Sequence, residues 1–247
     1  MEVRGAGPRV VLVHGFTQTL RSWARVTDDL ADDHEVVLVD APGHGGSGHV
    51  VANLTTGAAL LGEVGGRATY VGYSMGGRLV LRLGLDRPDL TRGLVLLGAT
   101  AGIDDPTERA VRHQIDEDLA ADIERQGVDA FLERWLAQPL FAGLRPDPDD
   151  LATRAANTAA GLASSLRRAG TATMDPPWWP DLGQISVPTV VLAGSRDAKF
   201  TALGRRLAGA MGTNASFATI TDAGHAAHLE RPEAVAAAVR SLVAHTP

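Results

Sequence analysis

The chain has 247 residues, enough for one large α/β domain or two small ones, and 45% hydrophobic content supports a sizeable core. A formal net charge of −6 argues against nucleic acid as a partner, and the absence of cysteine removes disulfides, thiol nucleophiles and thiolate metal sites. Met1-Glu2-Val3-Arg4-Gly5 lacks a basic-then-apolar signal pattern, and no apolar run nears the ~20 residues of a membrane span, so a cytoplasmic protein is expected.

Arg9 to His14 reads as a strand apolar on both faces, as parallel strands are, and runs into His14-Gly15-Phe16-Thr17. Ser22 to Leu30 has helical spacing, with Trp23, Val26 and Leu30 on one face, and Glu35 to Asp40 is a second buried strand. Such β-loop-α-β order is the unit of a right-handed parallel crossover. Asp40 opens a glycine-rich loop containing Gly-x-Gly-x-x-Gly at Gly43, Gly45 and Gly48, with Glu63 near the distance of a ribose-binding acid. Pro42 holds the chain out of a tight strand-to-helix turn and Glu63 falls in a helical stretch. The loop therefore reads better as a cap on the sheet than as a dinucleotide site.

Next comes Ala68-Thr69-Tyr70-Val71-Gly72-Tyr73-Ser74-Met75-Gly76-Gly77-Arg78: an apolar strand, Gly-x-Ser-x-Gly, then a helical stretch from Met75 to Leu85. A serine on such a turn is forced into a strained conformation above the sheet, at the positive end of the next helix, with glycines where the backbones crowd. Gly93 to Leu97 is a fourth strand, after the Arg87-Pro88-Asp89 break. The pattern then changes. From Asp104 to about Leu182 amphipathic helices replace strands: Glu108 to Gln126, Val128 to Trp135 and Leu151 to Ala169, with Pro139, Pro146 and Pro148 as breaks. The cluster Pro176-Pro177-Trp178-Trp179-Pro180 closes this region. Strands resume at Thr189 to Ala193 and Ser216 to Thr221, and an alanine-rich helix runs from Pro232 to about His245. The expected fold is a doubly wound, mostly parallel sheet forming one domain over 1–247. Its core comprises 1–103 and 183–247, with a helical cap or lid at 104–182.

A serine hydroxyl at neutral pH needs a histidine to take its proton and an acid to orient that histidine. Asp197 follows one strand in Gly194-Ser195-Arg196-Asp197, and His225 follows the last in Asp222-Ala223-Gly224-His225. Both stand just past C-terminal strand ends, where open α/β sheets place ligands, and Ser-Asp-His is the chain order of an α/β-hydrolase triad. Ser74, Asp197 and His225 are therefore the expected catalytic residues. Asp222 is too close in sequence to face the His225 ring easily, His228 is expected to pack against or hold the same turn, and Asp104 or Asp105 is the alternative acid from an earlier strand end. The oxyanion hole is expected from the backbone amides of Met75 and Phe16. No metal-ligand spacing and no Walker loop is present, so no metal site is expected.

His14-Gly15-Phe16, Asp40-x-Pro42-Gly43-His44-Gly45-x-Ser47, the serine turn, and Gly224-His225 with Glu230-x-Pro232-Glu233 resemble the α/β-hydrolase superfamily throughout. Finer features resemble one branch, the menaquinone-pathway 2-succinyl-6-hydroxy-2,4-cyclohexadiene-1-carboxylate synthases. These are Gly72-Tyr73-Ser74-Met75-Gly76-Gly77-Arg78, Phe131-Leu132-x-x-Trp135-x-x-Gln138-Pro139-Leu140-Phe141, and Asp197-Ala198-Lys199-Phe200, which holds the chain's sole lysine. The resemblance implies elimination of pyruvate without a cofactor, Ser74 removing a carbon-bound proton and the oxyanion hole stabilising enolate-like charge. It also implies a polycarboxylate substrate held by Arg112, Arg154 and Trp135. Arg78, one helical turn past Ser74, can point near the site, and Tyr73 flanks it. An ordinary serine hydrolase (carboxylesterase, lactonase or carbon–carbon hydrolase) would use the same triad, and a small-molecule receptor could retain it. Few residues precede the first strand, so the antiparallel hairpin that often opens these sheets is expected to be short or missing. Oligomeric state is not legible in the sequence.

Overall fold

A computed structural model describes residues 1–246. Its seven strands are β1 (Glu2–Arg4), β2 (Arg9–Val13), β3 (Glu35–Val39), β4 (Ala68–Tyr73), β5 (Thr91–Leu97), β6 (Thr189–Gly194) and β7 (Ala215–Ile220). They form one sheet in the order β1-β3-β2-β4-β5-β6-β7. The three-residue β1 pairs antiparallel with β3, so the opening antiparallel element is present but short, and every other pairing is parallel.

Alternation along each strand sorts the core into two layers. Val11 and Val13 of β2 pack on one face with α2 (Leu54–Gly65), α3 (Met75–Asp86) and α8 (Ala198–Met211). Val10 and Leu12 pack on the other with α1 (Ala24–Leu30) and α10 (Pro232–Ala244). Between β5 and β6 lie α4 (Pro106–Gln126), α5 (Val128–Leu136), α6 (Pro148–Ala155) and α7 (Ala159–Ala169), with their own apolar cluster of Ala120, Ile123, Phe131, Leu162, Ala163 and Leu166. The short α9 (Ala227–Glu230) precedes α10.

Three local expectations need correction. The stretch Leu151 to Ala169 is not one helix: α6 ends at Ala155 and α7 starts at Ala159, with the Thr158 side chain accepting the Gly161 N–H as its N-cap. Pro148 begins α6 instead of breaking the chain, since proline at the first helical position lacks only an N–H that would go unpaired. Ser22 to Leu30 also starts as a 3-10 turn, Leu20–Trp23, before α1. The glycine-rich loop is fastened to the protein itself: Asp40 Oδ2 accepts the Gly46 N–H at 2.9 Å and Asn157 Oδ1 accepts that of Gly45 at 2.8 Å.

Candidate active site

Ser74 joins β4 to α3 with φ +51°, a left-handed conformation unusual for a residue with a side chain. The first turn of α3 is pressed against the end of β2: a Cβ on Gly76 would lie 2.2 Å from the Val13 carbonyl oxygen. This close approach fixes the serine hydroxyl at the helix N-terminus. His225, in the loop after β7, places Nε2 3.2 Å from Ser74 Oγ and Nδ1 2.7 Å from Asp197 Oδ2. The other Asp197 oxygen accepts the Phe200 N–H at 3.1 Å, so the carboxylate both caps α8 and faces the imidazole. The alternative acids are occupied elsewhere. Asp104 pairs with Arg206, Asp105 caps α4 through the Thr107 and Glu108 amides, and Asp222 is exposed while Asp197 alone meets the His225 ring. His228 is buried, its ring 4.2 Å from Tyr73 and 4.6 Å from Trp23, and its Nε2 accepts from Gln18 Nε2 at 3.1 Å. Burial holds it neutral, well below the usual histidine range.

The amide of Met75, first in α3, has no intrahelical acceptor. The Gly15 carbonyl accepts from His14 Nδ1 at 2.8 Å and from the Gln18 amide at 3.2 Å. The Gly15–Phe16 peptide is trans, so the Phe16 N–H points opposite to that anchored carbonyl. His14 Nε2 accepts the Ala41 N–H at 3.0 Å, which leaves the proton on Nδ1, and full burial pushes its pKa down to about 4.

A cavity of about 420 Å³ opens over Ser74. It brings together Phe16, Tyr73, Ser74, Met75, Arg78, Arg112, Trp135, Arg154 and His225, every residue predicted for the site except Asp197, which stands behind the imidazole. Arg78 is 9% exposed; its Nη2 donates to the Ala169 carbonyl at 2.8 Å, while its Nε has no partner. Burial, and then the nearby Arg112, lower its pKa to about 10, which still leaves it charged at neutral pH. Arg112 donates to Asp116 Oδ1 at 2.8 Å, and burial raises the Asp116 pKa. Arg154, 2% exposed, is held by Asp150 Oδ2 and Thr17 Oγ1, each at 2.7 Å. Trp135 packs among Phe16, Phe131 and Phe141, and its Nε1 is buried without a partner. Tyr73 lies 5.2 Å from the His225 ring, and burial strongly raises its phenol pKa.

Several participants were not predicted as site residues from the sequence. Gly98 has φ +59°, and a Cβ there would sit 2.9 Å from His225 Cε1, so this glycine gives the imidazole its room. Gln18 lines the cavity and accepts the Gly15 N–H at 3.0 Å. Asp116 and Asp150, ordinary helical acids in sequence, are the buried partners of Arg112 and Arg154. A one-turn spacing to a following or preceding arginine was the available clue to both. Lys199 and Phe200 also line the cavity, the Phe200 ring 4.3 Å from that of His225.

The sequence profile of the alpha/beta hydrolase family matches residues 10–238. The 2-succinyl-6-hydroxy-2,4-cyclohexadiene-1-carboxylate synthase of Escherichia coli O1:K1 / APEC is 31% identical over 246 residues, which cover 96% of this chain and 94% of the relative. The solved structure of MenH from S. aureus superposes with a TM-score of 0.91 at 26% identity, covering 99% of this chain and 97% of that one. A malate-bound thermophilic esterase from Thermogutta terrifontis superposes at 0.81 and 27% identity, covering 99% and 92%. A strained serine between β4 and α3, a sheet with one antiparallel edge strand and an end-to-end sequence match thus agree, and the chain belongs to the alpha/beta hydrolase family.

Proposed function

We propose that this chain eliminates pyruvate from 2-succinyl-5-enolpyruvyl-6-hydroxy-3-cyclohexene-1-carboxylate to give 2-succinyl-6-hydroxy-2,4-cyclohexadiene-1-carboxylate. Kinship with the named synthases supports the reaction. The observation that carries it is the meeting of Arg78, Arg112 and Arg154 with Ser74 in one cavity of a protein with net charge −6. Arg112 and Arg154 have carboxylates of their own, whereas the Arg78 side chain meets a carbonyl oxygen and keeps an unpaired Nε. A buried cation without a full partner is costly and is satisfied by an anionic ligand, here a substrate carboxylate.

In this assignment His225, oriented by Asp197, draws the proton from Ser74 Oγ, and the serine oxygen takes a carbon-bound proton from the substrate. The electrons of that C–H bond form a double bond from C2 to C3, the existing C3–C4 double bond shifts to C4–C5, and the C5–O bond to the enolpyruvyl group breaks. Pyruvate leaves as its enolate and is protonated. The amides of Met75 and Phe16 face the enolate-like charge that develops on the ring substituent. Arg78, Arg112 and Arg154 hold carboxylates, Trp135 and Tyr73 wall the apolar ring, and residues 104–182 form a lid over a core of 1–103 and 183–247. No metal or organic cofactor takes part, and the place of work is the cytoplasm.

The test is pyruvate release from the precursor, read by coupling to lactate dehydrogenase. Release above the uncatalysed background is expected. No release, together with a burst of nitrophenol from nitrophenyl esters, would instead assign an acyl-serine hydrolase.

A further inference from the structure

The strongest polar junction outside the triad lies where the helical insertion meets the loop after β2. Thr17 has φ +67°, a conformation that strains a residue with a β-branched side chain and persists only where its surroundings impose it. All three of its polar groups are engaged. Its N–H donates to His44 Nε2 at 3.3 Å, its carbonyl accepts from Asn157 Nδ2 at 2.8 Å, and its hydroxyl accepts from Arg154 Nη1 at 2.7 Å. Two of those three partners come from the helical insertion, Arg154 in the last turn of α6 and Asn157 in the break before α7.

Asn157 is the centre of this clasp. It is 6% exposed, and its amide is fully used: Nδ2 also donates to the Arg154 carbonyl at 3.0 Å, and Oδ1 accepts the Gly45 N–H at 2.8 Å. One side chain therefore ties the loop after β2, the loop after β3 and the end of α6. Thr17 directly follows Phe16, whose amide is the proposed second oxyanion donor. Its neighbouring peptides are pinned from the sheet side by His14 and Gln18.

From this arrangement we infer that Asn157 is a positioning residue for the oxyanion hole: through the Thr17 carbonyl it holds the strained turn that aims the Phe16 N–H into the cavity. This rests on the assignment of that amide above, but not on the identity of the substrate. Removing the clasp lets Thr17 relax toward ordinary backbone angles and moves the donor. A misplacement on the order of 1 Å costs roughly a hundredfold in rate while ground-state binding through the arginines persists.

The experiment compares Asn157→Ala with the unaltered protein by two readouts: pyruvate release, and the rate at which a fluorophosphonate labels Ser74. In the labelling step the Ser74 oxygen–phosphorus bond forms, fluoride leaves and the serine proton passes to His225. That step needs the oxyanion hole but not the carboxylate-binding arginines. A fall of roughly 10- to 100-fold in kcat and in labelling rate, with KM within about twofold, is expected. Unchanged labelling and kcat would overturn the inference, as would a loss confined to melting temperature or a rise confined to KM. Asn157→Asp keeps the side-chain volume and the acceptor for Gly45 and loses the donor to Thr17. It gives the same comparison should the alanine variant fail to fold. Ser74 labelling without pyruvate release in the unaltered protein would sink the proposed reaction and leave the clasp to be judged on labelling alone.

Discussion

The cavity has two walls of different construction. The sheet wall consists of strand ends, where Ser74, His225 and the Gly15–Phe16 turn are fixed by backbone conformation and close backbone approach. The helical wall carries Arg112, Trp135 and Arg154, which are placed by side-chain partners: Asp116, an aromatic group, and Asp150 with Thr17. The esterase and the MenH structure both superpose on this chain, so a shared sheet wall is compatible with differently named activities. The difference teaches where to look: in the proposed assignment the sheet wall supplies reactivity, and the arginines decide what is brought to it.

The largest effect should come from the sheet wall. Ser74→Ala is expected to lower pyruvate release by roughly 10³-fold or more with the fold intact, read by the coupled assay beside a circular dichroism spectrum. Retained turnover would move the chemistry away from this wall. Arg78→Ala should cost roughly tenfold to a hundredfold, chiefly as lost kcat/KM toward the carboxylated precursor. Arg78→Lys should recover only part, because a point charge does not reproduce the guanidinium fork. If hydrolysis of a neutral nitrophenyl ester falls equally, Arg78 belongs to the machinery and not to recognition.

Gly98→Ala should be destabilised by about 1–3 kcal/mol from its positive φ, measured by denaturant unfolding, and should also displace His225. A stability loss with unchanged kcat would show that the imidazole tolerates the crowding.

Two smaller effects follow pH. The pKa of Arg78 is lowered to about 10, so the charge proposed to attract substrate is present below that value and fades above it. KM should therefore rise above pH 10, a limb absent from Arg78→Ala. Folding stability takes the opposite sign: above about pH 10 the folded chain gives up this proton before the unfolded chain does, so the arginine's contribution to stability rises with pH there. At the acid end, burial lowers His14 to about 4 and His44 to about 3 from 6.5. The unfolded chain binds protons first, and the stability due to these neutral rings is lost as pH falls from 6.5 toward 4. Melting temperature over that range should drop less steeply in His44→Gln than in the unaltered protein.

The sheet wall was largely legible because its determinants are local. Strand-ending glycines, an Asp and a His past later strands, and their chain order each leave a short signature. The helical wall was legible by residue and not by arrangement. Arg154 looks like a surface residue in sequence yet is almost wholly buried, since its carboxylate and hydroxyl partners make burial tolerable. The break at Asn157-Thr158 was missed because neither glycine nor proline marks it; tertiary bonds to Thr17 and Gly45 use the asparagine, and Thr158 restarts the helix. Gly98 was invisible because the ring that crowds it lies in a loop after another strand.

Room beside the imidazole also bears on how such a protein can change over generations. Beside His225 and behind Ser74 an added side chain would collide with the ring or the backbone, so selection has little to act upon on that side. Over the opening, Arg112 and Arg154 are held by side-chain partners, which can be exchanged without moving the backbone. Descent with altered substrate preference should therefore leave its record in the helical insertion, while the sheet beneath it stays nearly constant.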